Sequence, residues 1–78
     1  MENKVAETLP PDPEQMNDKR AFWAEAALLV FQILTGTDLE DSVCDLIADL
    51  MHWRDRNGMT FDNELRRARY HYEEETSG

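Results

Sequence analysis

Asp45, Asp49 and His52 follow one another at intervals of four and three residues, so a helix would set two carboxylates and an imidazole on adjacent turns of one face. Oxygen and nitrogen donors grouped in that way can approach a single divalent cation. Carboxylate metal sites in helical bundles draw further ligands from a second helix, and the preceding helical stretch offers only Glu25. A run of acids with a neighbouring histidine is more commonly a solvated face, so neither a metal nor a cofactor is assigned. Cys44 sits beside Asp45 with no basic neighbour in sequence to favour a thiolate, and it is expected to be a small packed residue rather than a nucleophile. No catalytic residue is identified, and the chain is read as a non-enzyme.

The elements that would carry these groups are three helices, giving an all-α fold preceded by an extended, Pro-containing N-terminal arm. The arm spans residues 1–17 and the helical domain 18–78. Pro10, Pro11 and Pro13 fix φ and push their preceding residues out of helical geometry, leaving Val5, Leu9 and Met16 as the arm's only apolar anchors. The first helix is expected over Asp18–Leu34, with Asn17 or Asp18 as N-cap. It is apolar on nearly every side, interrupted only by Glu25 and Gln32. Such a helix is either the centre of its own domain or half of a subunit interface.

Gly36 suits a left-handed helix stop, and Thr37 with Glu40 matches a reciprocal capping box that opens a second helix, Asp38–Arg56. Its Leu39, Val43, Leu46, Ile47, Leu50 and Trp53 recur at threes and fours and form one stripe. The opposite stripe gathers Asp41, Asp45, Asp49, His52 and Arg56, and Glu40 lies at its N-terminal end. Asn57 and Gly58 stop this helix, Met59 is placed to pack back on it, and Thr60 caps a third, Phe61–Glu75. The expected core is Phe22, Leu29, Leu39, Val43, Leu46, Leu50, Trp53, Phe61, Leu65 and Tyr72, with the remaining apolar side of the first helix used between chains, as in a homodimer.

Size and charge limit the function classes. Seventy-eight residues support one small core and no large cofactor cleft. Seventeen acids against eight Lys and Arg give a net charge of −9, which repels nucleic acid and anionic membranes and favours a basic protein partner. Arg66, Arg67 and Arg69 with Tyr70 and His71 make the one basic and aromatic patch, and Glu73, Glu74 and Glu75 follow it after Tyr72. Direct nucleic-acid binding is therefore not expected. The longest apolar block is too short to span a bilayer, and one cysteine cannot form an internal disulfide. A cytoplasmic location fits best.

Two resemblances extend this reading. Residues 45–65, DLIADLMHWRDRNGMTFDNEL, resemble the last two helices of MazG-type all-α nucleoside triphosphate pyrophosphatases, which place an aspartate ahead of an Asp-Arg-x-Gly turn and a capped helix after it. That family binds magnesium through E-x-x-E and E-x-x-D pairs on facing helices. The resemblance implies Asp45 for the last aspartate and Glu25 for an upstream glutamate. Ser42, Leu28 and Leu29 stand where other ligands would be, so what it implies is a degenerate pyrophosphatase. In being short, acidic and free of catalytic motifs, the chain also resembles inhibitor proteins of phages and mobile elements, of the anti-CRISPR or anti-restriction type. That second resemblance implies a viral protein that mimics DNA by docking carboxylates in a cationic groove built for phosphates. Glu40, Asp41, Asp45 and Asp49 are the residues expected to do so, the three aspartates rising about 6 Å per step along the helix. A structural subunit of a larger assembly is the remaining alternative.

Overall fold

A computed structural model describes residues 8–58 and 60–78. Its elements are α1 (Asn17–Thr35), α2 (Leu39–Arg56) and α3 (Phe61–Thr76), with no strand among the described residues. The protein is all-α, and each helix lies within one residue of its expected bounds.

Local chemistry accounts for the ends. α1 takes Met16 as N-cap with no side-chain bond from that residue, in place of the expected Asn17 or Asp18. The free N–H groups are served from the arm instead. The Asp12 carboxylate accepts from Met16 N at 3.1 Å and Asn17 N at 3.2 Å, an anion placed where the helix dipole favours one. Gln15, at φ +59°, makes the turn that brings Asp12 there. The arm is thus folded back over Asp12–Met16 rather than extended throughout, while Val5 and the rest of residues 1–7 lie outside the described set.

α1 stops at Gly36, whose φ of +74° is open to glycine at no steric cost and whose N–H bonds Gln32 O. The capping box anticipated from Thr37 and Glu40 is shifted by one residue. Asp38 is the N-cap of α2, its Oδ1 accepting from Asp41 N at 3.3 Å. Asn57 and Gly58 close α2 as expected. Thr60 is the N-cap of α3 by backbone geometry, without a side-chain bond, so Asp62 and Glu64 in the first turn are what complements the dipole there. Met59 lies outside the described residues.

Assembly departs from expectation. α1 and α2 meet at 89° across the three-residue turn, α2 packs on α3, and the end of α3 returns to the start of α1. The result is an open triangle of 37 × 31 × 20 Å with a radius of gyration of 14.6 Å, against about 11.5 Å for a compact chain of this length. Among the described residues no hydrophobic side chain is buried, and Ser42 is the only buried residue of any kind. All ten expected core positions are accordingly corrected. Leu46 and Phe61 are half-buried, and Phe22, Leu29, Leu39, Val43, Leu50, Trp53, Leu65 and Tyr72 are exposed. The apolar stripes were identified correctly, but a right-angled corner separates helices that would have to lie side by side to cover them. Cys44, expected to be packed, is exposed as well.

Polar contacts hold the triangle at its other two vertices. At the α2–α3 corner, Arg54 donates to Glu64 at 2.8 Å, and Arg67 lies 3.3 Å from the same carboxylate. The Arg54 side chain is only 12% exposed, and its guanidinium stands 5.4 Å from the Trp53 ring, within cation–π range. Where α3 meets α1, Asn17 Nδ2 donates to Glu75 O at 2.8 Å, and Arg20 bridges Glu14 at 2.7 Å and Glu75 at 3.4 Å. The hydrogen bond that Arg20 donates to Glu14, followed by the charge of Glu75, holds the Arg20 guanidinium above its ordinary pKa. A cleft of about 300 Å³ lies beside this junction, lined by Leu9, Pro10, Ala21 and Tyr72 together with Arg20 and Glu75.

Candidate functional site

The carboxylate row sits on α2, the helix with the firmest local support. It has a side-chain N-cap, acids Glu40 and Asp41 in its first turn, and Arg54 and Arg56 in its last. Glu40, Asp41, Asp45 and Asp49 are all exposed. Among the described residues none of the four takes part in an ion pair, and no side chain donates to their carboxylates. Asp41 engages only through its backbone N–H, which the Asp38 cap receives. The cations that the chain does pair are spent elsewhere: Arg20 on Glu14 and Glu75, Arg54 and Arg67 on Glu64. Arg56 is the next cation along α2 after Arg54, and it donates to the backbone oxygen of His52 rather than to an acid. Among the described residues the row is therefore a line of exposed negative charge with no paired cation, carried on one helix.

Asp45, Asp49 and His52 share the α2 face as expected and all three are exposed. Among the described residues, no three His, Cys, Asp or Glu side chains come together in a set that could hold a metal ion. Glu25 on α1 and Asp45 on α2, the two residues that the MazG resemblance singles out, belong to no such set.

The basic patch of α3 is partly tied within its own helix. Arg66 donates to Asn63 and Arg67 to Glu64, while Tyr70 and His71 meet edge to face at 6.1 Å between ring centroids. Arg69 and Glu73, four residues apart with the cation first, the weaker order on a helix, form no ion pair among the described residues.

Sequence reasoning passed over Arg54 and Glu64, which join two helices. The signal was present. At 100° per residue Arg54 falls between Val43 and Ile47 on the apolar stripe of α2, where a charge must find a partner when it is covered. Also unrecognised was Asp12, which does the capping expected of Asn17 or Asp18.

No single described helix is long and apolar enough to cross a membrane. No protein family, no curated protein and no solved structure matches the chain.

Proposed function

We propose that this is a non-catalytic binding protein that docks the α2 carboxylate row, Glu40, Asp41, Asp45 and Asp49, on a basic surface of a protein partner. By occupying a groove suited to phosphates it would obstruct a nucleic-acid-handling complex, in the manner of a phage or mobile-element inhibitor acting in the cytoplasm on host defence. The observation that carries this reading is the absence of any ion-pair partner for the four acids among the described residues. Charges already neutralised within the chain would have little left to offer a partner, whereas solvated charges on a capped helix are available and preorganised. The rise of about 6 Å between successive aspartates, comparable to the spacing of phosphates along a strand, supports competition with nucleic acid.

The experiment is a pull-down from the native cell with wild-type protein and with the triple variant Asp41→Lys, Asp45→Lys, Asp49→Lys. Partners of the row are expected to be lost with the variant, released by raised salt and displaced by duplex DNA. Identical catches from wild type and variant would overturn the proposal. A second reading, that the chain is a structural subunit of a larger assembly, is favoured by the lack of any buried hydrophobic residue among the described ones. Partners retained at high salt by both proteins would support it.

A further inference from the structure

The exposed apolar surface of α1 has an internal order that points to one occupant. Phe22, Ala26, Leu29 and Ile33 are spaced four, three and four residues apart, the interval pattern of a coiled-coil seam. Trp23, Ala27, Val30 and Leu34 repeat that spacing one residue on. All eight positions are exposed, Ile33 at 81%, Leu34 at 77% and Phe22 at 64%. The half-buried side of α1 is instead that of Leu28 and Phe31, nearly opposite the first seam at 100° per residue. Four–three–four reads the same in either direction, so the seam is complementary to an antiparallel copy of itself. Across a two-fold axis midway between Ala26 and Leu29, each alanine would face a leucine and each Phe22 an isoleucine, small against large and large against large. Residue i then meets j and j meets i, as a two-fold interface requires.

Charge favours the same occupant. A chain of net charge −9 repels its own copies wherever acids face one another. From Ala21 to Thr37 the single charged residue is Glu25, about 60° off the first seam. α1 is thus the surface on which two copies can meet with the least electrostatic opposition, and it offers no charge pattern by which a foreign partner would be selected.

The area agrees. A folded chain of 9.1 kDa exposes about 4,900 Å², and this one exposes 6642 Å². If every residue outside the described set is given the full exposure of an unfolded chain and the rest is compared with a folded chain of its own mass, roughly 770 Å² remains in excess. Covering that excess on two copies removes about 1,500 Å², within the range of a standard stable interface. We infer that α1 is a dimerisation helix, pairing antiparallel with α1 of a second copy through the Phe22, Ala26, Leu29 and Ile33 seam. This inference is independent of the reading of the α2 row.

Sedimentation equilibrium of the full chain, with melting followed by circular dichroism over a wide concentration range, tests it. The expected result is a species of twice the chain mass whose Tm rises with concentration, and a dimer weakened roughly thirtyfold or more by Leu29→Asp. Should that variant fail to fold, chains carrying Ala26→Cys are mixed with chains carrying Leu29→Cys, both with Cys44→Ser. Mixed disulfides should exceed those formed by either chain with itself. The lysine variant of the α2 row should still dimerise, which separates failure of this inference from failure of the proposed function. A monomer with a cooperative, concentration-independent melt, aggregates of no fixed mass, or a preference for self-linked disulfides would each overturn it.

Discussion

α1 and α2 are nearly equal in length and joined at a right angle, yet they present opposite surfaces. α1 is apolar most of the way round and carries one charge over its last fifteen residues; α2 sets an apolar stripe against a row of acids that pair with no described cation. A contact made through α1 would be driven by removal of apolar surface and should persist or strengthen in salt. One made through α2 would be driven by Coulomb attraction and should fade as salt screens it. A small chain can thus hold two chemically separate contacts on neighbouring helices without one interfering with the other.

The largest effect is expected where the charged network reaches the covered end of α2. Glu64→Gln leaves the largely covered Arg54 guanidinium without its counter-charge and should lower stability by about 2 kcal/mol, measured by urea denaturation. Arg54→Met in the same background should recover part of that loss, because an apolar side chain needs no partner there. An unchanged midpoint in Glu64→Gln would mean that the α2–α3 corner is held by something other than this pair.

Next in size is the lysine substitution of Asp41, Asp45 and Asp49. It should slow association with a basic partner by about tenfold or more at low ionic strength and flatten the salt dependence. All three sites are exposed and unpaired among the described residues, so stability should move by no more than about 0.5 kcal/mol. Stopped-flow association beside a thermal melt checks both halves. A large stability change would blur the separation between the two helices.

The corner itself can be probed with Gly36→Ala. Nothing stands within 4 Å of an added Cβ, so the effect isolates the left-handed backbone and should be about 1 kcal/mol destabilising. A neutral result in denaturant titration would show that the turn accommodates another conformation. Smallest is Asp38→Ala, which removes the N-cap of α2. Its hydrogen bond is long at 3.3 Å, which puts the expected cost near the low end for caps, about 0.5 kcal/mol, visible as a slight loss of helicity.

How much of this was legible beforehand varies with the range of the interaction. The helix bounds, the stops at Gly36 and Gly58 and the exposure of Asp41, Asp45 and Asp49 follow from spacing and turn chemistry within a few residues. The cap of α1 was misplaced because Asp12 reaches it from a separate turn, set by the left-handed Gln15. Of the site, the acidic row could be read directly from periodicity. The pairing of Arg54 with a residue ten positions away could not, although its place on an apolar stripe marked it as a charge in need of a partner.

By itself the sequence determined three helices, their ends, their stripes and a strongly negative charge, because each depends on residues within a turn or two of one another. The tertiary structure alone decided that those stripes do not cover one another within the chain. Burial depends on how helix axes meet, and the 89° corner at Gly36–Asp38 turns α1 and α2 apart where side-by-side packing would have made Phe22, Leu29 and Leu50 a core. It likewise decided that the triangle closes through ions and amides, Arg54 with Glu64 and Arg20 with Glu75, since only a folded path brings residues so distant in sequence within reach of a hydrogen bond.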